Sequence, residues 1–556
     1  MSFSSLKKRA ELSHGSVWIN EDVRPLEDAR RTWTFISYHN FWLLINCSIA
    51  SYLTGSALIP LGLTWWQAVI CIVVGNAIAT AALLISSLAG AHYNIGFSVL
   101  SRAIWGLWGS QFVIWNRIFL SIVWYGFQTW VGGQCVYIIL LSFQPDLEQH
   151  IPNTLPADTG ATTAEFVAYI VFFFASLPFL WVRPHRIEKL FYFASTVTLI
   201  FFLVLLIWSL ATMGPEGFGS TLDSDTDLPS TGGPGSIAWL MIYGIMSTIG
   251  SIAAGILNQN DFSRFSRRPS DAIWGQAIAF PVYSIFTAVV GILVTAATQN
   301  RLGGDAVWNP PTLMAALLEL DNTAGTRAAV FFSGLALTIA QIGTNVPGNG
   351  FAGGIDSSAV FPKYINIRRG AFITAIISPA VNPWRLVSTA TTFLTVLSGY
   401  SVFIAPMTGI MAASYLAVSR QKIKTEDLFH PNSENIYWYS HGVNWRAFAA
   451  WIIGVVPILP GFINAVNLSI LVPDSVVELY YLNYIYGFLV GGLVFTVLHR
   501  VFPAEKLDTF VREAPDAKTL QKQNRIYWNS TLEGSEHAGP LVHSDVGHIV
   551  PIKDVN

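Results

Sequence analysis

Charged residues are scarce in this chain, and that scarcity excludes most soluble folds. Only 12% of the 556 residues are Asp, Glu, Lys or Arg, whereas 52% are hydrophobic. An ordinary soluble domain has about 25% charged residues. The formal net charge is −2, so the chain offers no strongly basic surface for nucleic acid. We therefore expect a protein that lies mostly in a lipid bilayer and has no nucleic-acid partner.

Cysteine is also rare. The three cysteines, Cys47, Cys71 and Cys135, each lie in an apolar segment. This placement favours small buried hydrophobic side chains over a disulfide or a metal site. The N-terminus, MSFSSLKKRAELSHGS, is polar and basic and has no apolar core of about 7–15 residues, as a cleaved signal peptide would. We expect the first hydrophobic segment to remain in the mature protein.

The motifs of common enzyme and pump classes are missing as well. The sequence contains no His-Glu-x-x-His, no phosphate-binding loop ending in Lys-Ser/Thr, and no Gly-x-Ser-x-Gly. These patterns carry metal, phosphate and acyl chemistry, respectively. We therefore expect neither an enzyme nor an ATP-driven pump, and no cofactor or metal.

Long hydrophobic runs are what the chain does have. A helix needs about 20 apolar residues to cross the hydrocarbon core. Twelve segments approach this length, and we name them span 1 to span 12. In order they cover residues 41–62, 66–89, 111–142, 163–182, 189–213, 236–258, 272–297, 328–352, 371–396, 400–418, 446–468 and 480–501. The sequence thus predicts an all-α polytopic membrane protein with 12 transmembrane helices.

The positions of Lys and Arg predict the orientation of these spans. They cluster near the N-terminus and in the connections after even-numbered spans, whereas residues 144–162 and 214–235, which follow spans 3 and 5, contain none. Cytoplasmic loops carry the excess of Lys and Arg. We therefore predict that both termini are cytoplasmic, with tails of residues 1–35 and 502–556 that we expect to be disordered.

Small and polar residues interrupt spans 1 and 6. Span 1 contains INCSIASYLTG, Ile45–Gly55, and span 6 contains STIGSIAAGILNQNDF, Ser247–Phe262. Irregular segments at matching positions are typical of transporters built from inverted repeats, with a binding site near the middle of the membrane. This predicts a first repeat over 36–213 and a second over 236–418, followed by two helices within 446–501. The alternative is that small residues only let helices pack closely.

Span 3 contains the stretch WYGFQTWVGGQC, Trp124–Cys135. Phe127, Trp130 and Gln134 share one helix face, where an indole and a carboxamide could stack on a flat cyclic amide and hydrogen-bond to it. The alternative is that Trp130 is a packing ring and that Gln134 makes an interhelical hydrogen bond. Gly126, Gly132 and Gly133 lie off this face and would let neighbouring helices approach closely. Span 8 adds several polar residues around a proline: Gln341, Thr344, Asn345, Pro347 and Asn349.

Five motifs in combination resemble the nucleobase:cation symporter family, in its fungal branch of uracil, allantoin and uridine permeases. They are RTW at Arg31–Trp33, LGLTWWQA at Leu61–Ala68, GGQC at Gly132–Cys135, NQNDFSRF at Asn258–Phe265 and YINIRRG at Tyr364–Gly370. The resemblance runs from about Arg24 to Pro503. It implies a LeuT-like fold, with a 5+5 inverted repeat plus two C-terminal helices, at the plasma membrane. It also implies import of a nucleobase or related cyclic amide by symport with alternating access.

The resemblance implies particular site residues. For the substrate they are Trp130, Gln134, Asn349, Phe127, Ser251 and Ile252; for the cation they are Asn46, Ile49, Ala340, Gly343 and Thr344. Gly343 lacks the hydroxyl that a Na⁺-coupled member would offer, which favours H⁺ as the coupling ion. Ile252 stands where the family often has an aromatic residue, so the resemblance leaves the identity of the substrate open.

Charged residues near the ends of the spans are candidates for gating or coupling. These are Asp261 and Asp356, together with Arg117 at the start of span 3. A buried carboxylate could carry a proton, although a structural ion pair is the alternative. Other functions remain open at this point: a thiamine or nicotinamide riboside carrier of the same fold, a nutrient receptor without transport, or a channel.

Overall fold

The computed structural model describes residues 11, 18–182, 184–215, 217–218 and 233–537, and their side chains except those of 157, 183–190 and 531–537. Within these ranges the regular elements are helices and there is no β-strand. The prediction of an all-α protein is confirmed for this part of the chain.

Eight helices are long and apolar enough to cross a membrane. They correspond to spans 2, 4, 5, 6, 7, 8, 10 and 12, with bounds Trp65–Tyr93, Thr163–Trp181, Phe191–Ala211, Ile237–Leu257, Pro269–Thr298, Ala324–Val360, Ala390–Val418 and Asn483–Val501. Span 11 is a ninth crossing made of two helices, Trp445–Val455 and Leu459–Val466, bent by 53°. Pro457 and Pro460 lie at this bend, where each lacks a backbone donor.

The other three predicted spans are helical but shorter, broken or more polar. Span 1 consists of Phe35–Asn46 and Ile49–Ser56. Span 3 is one helix, Ser110–Phe143, with polar side chains along its length. Span 9 is the short helix Ile367–Ile377. Length and apolarity thus support nine of the twelve predicted crossings.

The structure corrects the predicted course of spans 9 and 6. The apolar run 371–396 is not one span, because its helix ends at Ile377 and the next helix begins at Ala390. Pro379 and Pro383 cannot donate to a helix, and Asn382 between them has φ +52°. Span 6 is continuous over Ile237–Leu257, through the small residues, and its helix ends before Asn258, inside the expected segment Ser247–Phe262.

Span 1 is broken near its middle, as its sequence predicts. The first half ends at Asn46, and the second begins after Ser48, whose side chain accepts a hydrogen bond from the backbone N–H of Ser51. A serine in this position caps a helix N-terminus. The backbone N–H groups of Cys47 and Ser48 in the gap remain bonded, to the carbonyls of Leu43 and Asn46 at 2.9 Å each. Such irregular backbone is tolerated at membrane depth only in a cavity or in buried protein.

The helices pack as two groups. Span 7 lies along both halves of span 1, and span 2 packs on spans 6 and 7; we call spans 1, 2, 6 and 7 the first group. Span 3 packs on spans 4, 8 and 9; we call spans 3, 4, 8 and 9 the second group. Span 5 contacts spans 1, 7 and 8, so it borders both groups.

The glycines of span 3 let its neighbours approach, as predicted. A Cβ at Gly132 would lie 2.3 Å from the ring of Phe172, and one at Gly133 would lie 2.6 Å from the backbone Cα of Tyr169. Both partners belong to span 4. Because a backbone atom cannot rotate away, Gly133 is the stricter requirement.

The described parts of the tails are more ordered than expected, whereas residues 1–10, 12–17 and 538–556 lie outside the described residues. In the C-terminal tail, Glu505–Glu513 and Ala517–His537 are helices. The Arg525 guanidinium donates two hydrogen bonds to the carboxylate of Asp28 in the N-terminal tail, at 2.9 and 2.6 Å. This contact holds the pKa of the Asp28 carboxyl below its usual range. Both tails therefore lie on the same side, which agrees with an even number of crossings.

The packing at Gly133 predicts a selective effect of a single methyl group. We expect Gly133→Ala to abolish or strongly reduce surface expression, because the added Cβ meets the backbone of span 4. Gly235→Ala is the matched control, since a Cβ there meets nothing within 4 Å. Fluorescence of a tagged protein at the cell periphery measures the effect. Equal surface levels for both variants would contradict the close approach.

Candidate functional site

A ladder of amide side chains joins spans 3 and 8. Gln341 Nε2 donates to the side-chain Oε1 of Gln128 at 2.7 Å and to its backbone carbonyl at 2.9 Å. One turn further along, Asn345 Nδ2 donates to Thr129 Oγ1 at 3.0 Å and to the carbonyl of Tyr125 at 3.2 Å. Unpaired amides are costly away from water, so these bonds fix how the two spans align.

The ladder continues into a widened turn of span 8. Residues Val346–Phe351 form a π-helix, because Pro347 has no N–H to donate to the preceding turn. Asn349 Nδ2 donates to Asn345 Oδ1 at 3.0 Å, and Asn349 is half-buried. The wide turn therefore presents a carboxamide whose position is held by the residue one turn before it.

The structure puts Trp130 and Gln134 away from Asn349. The Trp130 ring is 2% exposed and lies 5.7 Å from the ring of Tyr169 and 6.2 Å from that of Trp384. Gln134 Oε1 accepts a hydrogen bond from Asn309 Nδ2 at 2.9 Å. Trp130 is thus packed among aromatic rings, and Gln134 is bonded to the connection between spans 7 and 8.

The alignment of spans 3 and 8 separates these residues from Asn349. The spans run antiparallel, since Ser121 lies beside Gly353 and Cys135 beside Gly334. Asn349 is therefore level with residues just after Ser121. Gln134 lies about eleven residues further along span 3, or roughly 16 Å at about 1.5 Å per residue. A single flat ring cannot contact both, so the predicted grouping of Trp130 and Gln134 with Asn349 is corrected.

Another Trp lies at the level of Asn349, and a second Gln lies about one turn further along span 3. Trp124 packs edge-on against Tyr400 of span 10, with the ring centroids 6.1 Å apart, and is half-buried. The hydroxyl of Tyr400 donates to the carbonyl of Gly250 in span 6. Trp124 and Gln128 have the same Trp-x-x-x-Gln spacing as Trp130 and Gln134. The spacing was a signal in the sequence, but it occurs twice.

The predicted residues of spans 3 and 6 border this region. The Phe127 ring lies 5.1 Å from that of Trp124 and is stacked on Phe393 at 5.7 Å. Ser251 Oγ donates to the Thr248 carbonyl at 2.8 Å. Ile252 is half-buried. Trp124, Phe127 and Tyr400, with the carboxamides of Gln128 and Asn349, form what we call the central site.

The predicted cation residues lie where spans 1 and 8 face each other. Thr344 Oγ1 lies 3.5 Å from the carbonyl of Leu44, close to the break in span 1. Asn46 Nδ2 donates to the Phe280 carbonyl at 3.1 Å. Ile49 and Ala340 are buried. A Cβ at Gly343 would lie 2.6 Å from the Cβ of Ala194 in span 5, so that methyl group fills the place of a side chain.

The charged candidates lie at the other end of the ladder. Arg117 Nη2 is 3.7 Å from Asp356 Oδ2, with both side chains buried, and the Asp356 oxygens accept no hydrogen bond from the described residues. With its amide oriented to satisfy both ends, Asn258 of span 6 accepts from Arg117 at 2.8 Å. Asp261 instead accepts from the Phe97 backbone N–H at 2.9 Å. Arg117 thus links the two helix groups.

The arrangement suits recognition of a flat polar ring. Aromatic rings offer stacking surfaces, and carboxamides offer both a donor and an acceptor. Among the residues that the structure describes, no group of three or more His, Cys, Asp or Glu could hold a metal ion.

Comparison with known proteins adds three findings. The family model described as "Permease for cytosine/purines, uracil, thiamine, allantoin" matches residues 25–487. The uracil permease of Saccharomyces cerevisiae is 35% identical, over 88% of this chain and 77% of the relative. The allantoin permease of the same yeast is 34% identical, over 87% of this chain and 76% of the relative.

A solved structure also matches. It is that of Mhp1, a nucleobase-cation-symport-1 family transporter, in a closed conformation with bromovinylhydantoin bound. The TM-score is 0.69 at 20% sequence identity, covering 92% of this chain and 99% of that one. The chain thus has the LeuT-like fold of Mhp1, as the sequence predicted.

The buried pair of Arg117 and Asp356 predicts a stability effect that a second substitution reverses. We expect Asp356→Ala to lower the free energy of unfolding by about 3 kcal/mol, because it leaves a buried guanidinium without its counter-charge. Adding Arg117→Met should recover most of that loss. Asp508→Ala, which breaks an exposed pair with Arg512, is the control and should change little. Thermal unfolding of the purified protein measures all three, and an unaffected Asp356→Ala would contradict the pairing.

Proposed function

The chain belongs to the family of permeases for cytosine, purines, uracil, thiamine and allantoin, and from that membership we propose that it imports a nucleobase or related cyclic amide by proton symport. We place it in the plasma membrane with both tails in the cytoplasm. Relatives in the family are named as uracil, allantoin and uridine permeases. These substrates share a flat polar ring with N–H and C=O groups.

The observation that carries the proposal is the central site. Trp124 and Phe127 offer rings on which a flat heterocycle stacks. Gln128 and Asn349 offer carboxamides that can pair with an adjacent N–H and C=O of the substrate. Their own positions are held by Gln341 and Asn345, so the site is preorganised before the substrate arrives.

Transport by alternating access is supported by the arrangement of the two helix groups. Spans 3 and 8 are bonded to each other along the amide ladder and belong to the second group. Span 1, with its break beside Thr344, belongs to the first group. Gly250 of span 6, in the first group, accepts a hydrogen bond from Tyr400 of the central site. A substrate in that site therefore lies beside both groups, and its binding can couple to their relative motion.

Proton coupling is supported by the surroundings of Gly343. Cations such as Na⁺ need several oxygen ligands, and a Ser or Thr at residue 343 would supply one of them. The Cβ of Ala194 lies 2.6 Å from where the Cβ of such a residue would be. A hydroxyl-bearing side chain would have to displace span 5 to fit. The candidate cation site of Asn46, Ile49, Ala340 and Thr344 therefore lacks one oxygen ligand that a Na⁺ site would need.

Uptake in a yeast that lacks its own permeases tests the function. We expect labelled uracil, allantoin or uridine to accumulate saturably, with inhibition by a protonophore or alkaline medium and no requirement for Na⁺. Thiamine and uric acid complete the panel. Uptake of thiamine alone would overturn the substrate class, and strict dependence on Na⁺ would overturn the coupling ion. Binding without accumulation would indicate a receptor, and flux insensitive to the protonophore a channel.

Substitutions within span 3 test whether the substrate binds at Trp124 and Gln128 or at Trp130 and Gln134. We expect Trp124→Ala and Gln128→Ala to reduce uptake roughly tenfold or more at an unchanged surface level, because each removes a stacking or hydrogen-bonding partner of the substrate. Asn349→Ala should raise the apparent KM.

Matched controls come from the same helix. Trp115 is 50% exposed, and Gln111 lies near the helix start, so Trp115→Ala and Gln111→Ala should leave uptake near normal. If Trp130→Ala and Gln134→Ala abolished uptake while Trp124→Ala and Gln128→Ala did not, the site would lie further out along span 3.

A further inference from the structure

The connection between spans 7 and 8 crosses the gap between the two helix groups. The carbonyl of Trp308 accepts a hydrogen bond from Ser56 Oγ at 2.7 Å. The next residue, Asn309, donates from Nδ2 to Gln134 Oε1 at 2.9 Å. Ser56 ends span 1 in the first group, and Gln134 lies on span 3 in the second group. Two consecutive residues therefore tie the groups together.

Aromatic rings close the space beneath this tie. The Trp308 ring lies 5.6 Å from that of Phe393, which stacks on Phe127, and Phe127 packs on Trp124. These four rings form a continuous column from the connection to the central site. The column places bulky rings between the connection and Trp124.

The segment that carries Asn309 is rigid. Pro310 and Pro311 follow it and begin the helix Pro310–Leu320, where the fixed φ of proline suits the first turn. The Leu313 N–H donates to the Asn309 carbonyl at 2.9 Å. Because the backbone is held on both sides, the hydrogen bond to Gln134 cannot be kept by bending the segment when the two groups separate.

The carboxamide of Asn309 is only half satisfied. The residue is 5% exposed, yet its Oδ1 accepts no hydrogen bond from the described residues. A buried acceptor without a donor costs free energy. The closed arrangement gains the bond at Nδ2 and bears the cost at Oδ1, and opening to water reverses both, so the bond to Gln134 is reversible.

We propose that Asn309 is the latch of the gate at this end of the molecule, holding the two helix groups together through Gln134 when the gate is closed. The latch releases when the groups separate, and Asn309 Oδ1 and Gln134 then both reach water. This inference rests on the proposed alternating access. It gives Gln134, which lies too far out for the central site, a role in gating rather than in substrate recognition.

Labelling of a buried cysteine tests the latch without any substrate. Val131→Cys places a thiol one turn inward of Gln134 on span 3, at a residue that is 0% exposed. We expect a membrane-impermeant maleimide to label it roughly fivefold faster in the Asn309→Ala background, because one hydrogen bond of the closed state is lost. The purified protein is placed in lipid nanodiscs, where the maleimide reaches both faces of the membrane. The labelling rate therefore depends neither on the orientation of the protein in the membrane nor on substrate uptake.

Asn300→Ala is the matched control for labelling. Asn300 lies in the same connection, but its Nδ2 donates to the Gly217 carbonyl at 3.3 Å and not to the second helix group. Its labelling rate should equal that of the unaltered background. Equal rates for Asn309→Ala and Asn300→Ala would overturn the latch. Protein without Val131→Cys gives the background from Cys47, Cys71 and Cys135, which are all buried.

A reversible cross-link tests the same tie by locking it. In a variant with Asn309→Cys and Gln134→Cys, a short bifunctional methanethiosulfonate should stop uptake, and dithiothreitol should restore it. Full cross-linking without loss of uptake would overturn the latch, even if Asn309→Ala fails to fold. If labelling responds to Asn309→Ala but no compound is taken up, the proposed substrate class fails and the latch stands.

Discussion

The amide ladder between spans 3 and 8 is the contact on which the rest of the structure depends. A carboxamide away from water must find a partner, and the bonds from Gln341 to Gln128 and from Asn345 to Thr129 and Tyr125 satisfy that need. They also fix the axial position of one helix against the other. The levels of Trp124, Asn349 and Gln134 all follow from this single alignment.

Among the described residues, polar contacts join the two helix groups near both ends of the molecule, and Thr344 contacts the Leu44 carbonyl between them. At one end the connection before span 8 bonds to Ser56 and Gln134. At the other end Arg117 of span 3 bonds to Asn258 of span 6 and pairs with Asp356. The central site lies between them. A transporter of this fold needs such closures at both ends, each able to open while the other holds.

Much of the fold follows from local composition. The scarcity of charge and the long apolar runs predict a polytopic helical protein, because water and lipid select residues directly. The glycines of span 3 predict close packing, which Gly132 and Gly133 have. The boundary between spans 9 and 10 could not be placed this way. An apolar sequence has the same composition whether it forms a membrane helix or a buried turn. Pro379 and Pro383 lie in the turns between the two helices and were the local sign that the run is not one span.

The sequence by itself determined that span 3 has a face of aromatic and amide side chains, since helical periodicity is a local property. It could not determine which Trp-x-x-x-Gln pair reaches the centre, because Trp124 with Gln128 and Trp130 with Gln134 have identical spacing. That choice depends on the level of Asn349, which the antiparallel alignment of span 8 and the π-turn after Asn345 decide. Contacts between helices far apart in the chain exist only in the tertiary structure. Only there does Asn309, in the connection between spans 7 and 8, contact Gln134.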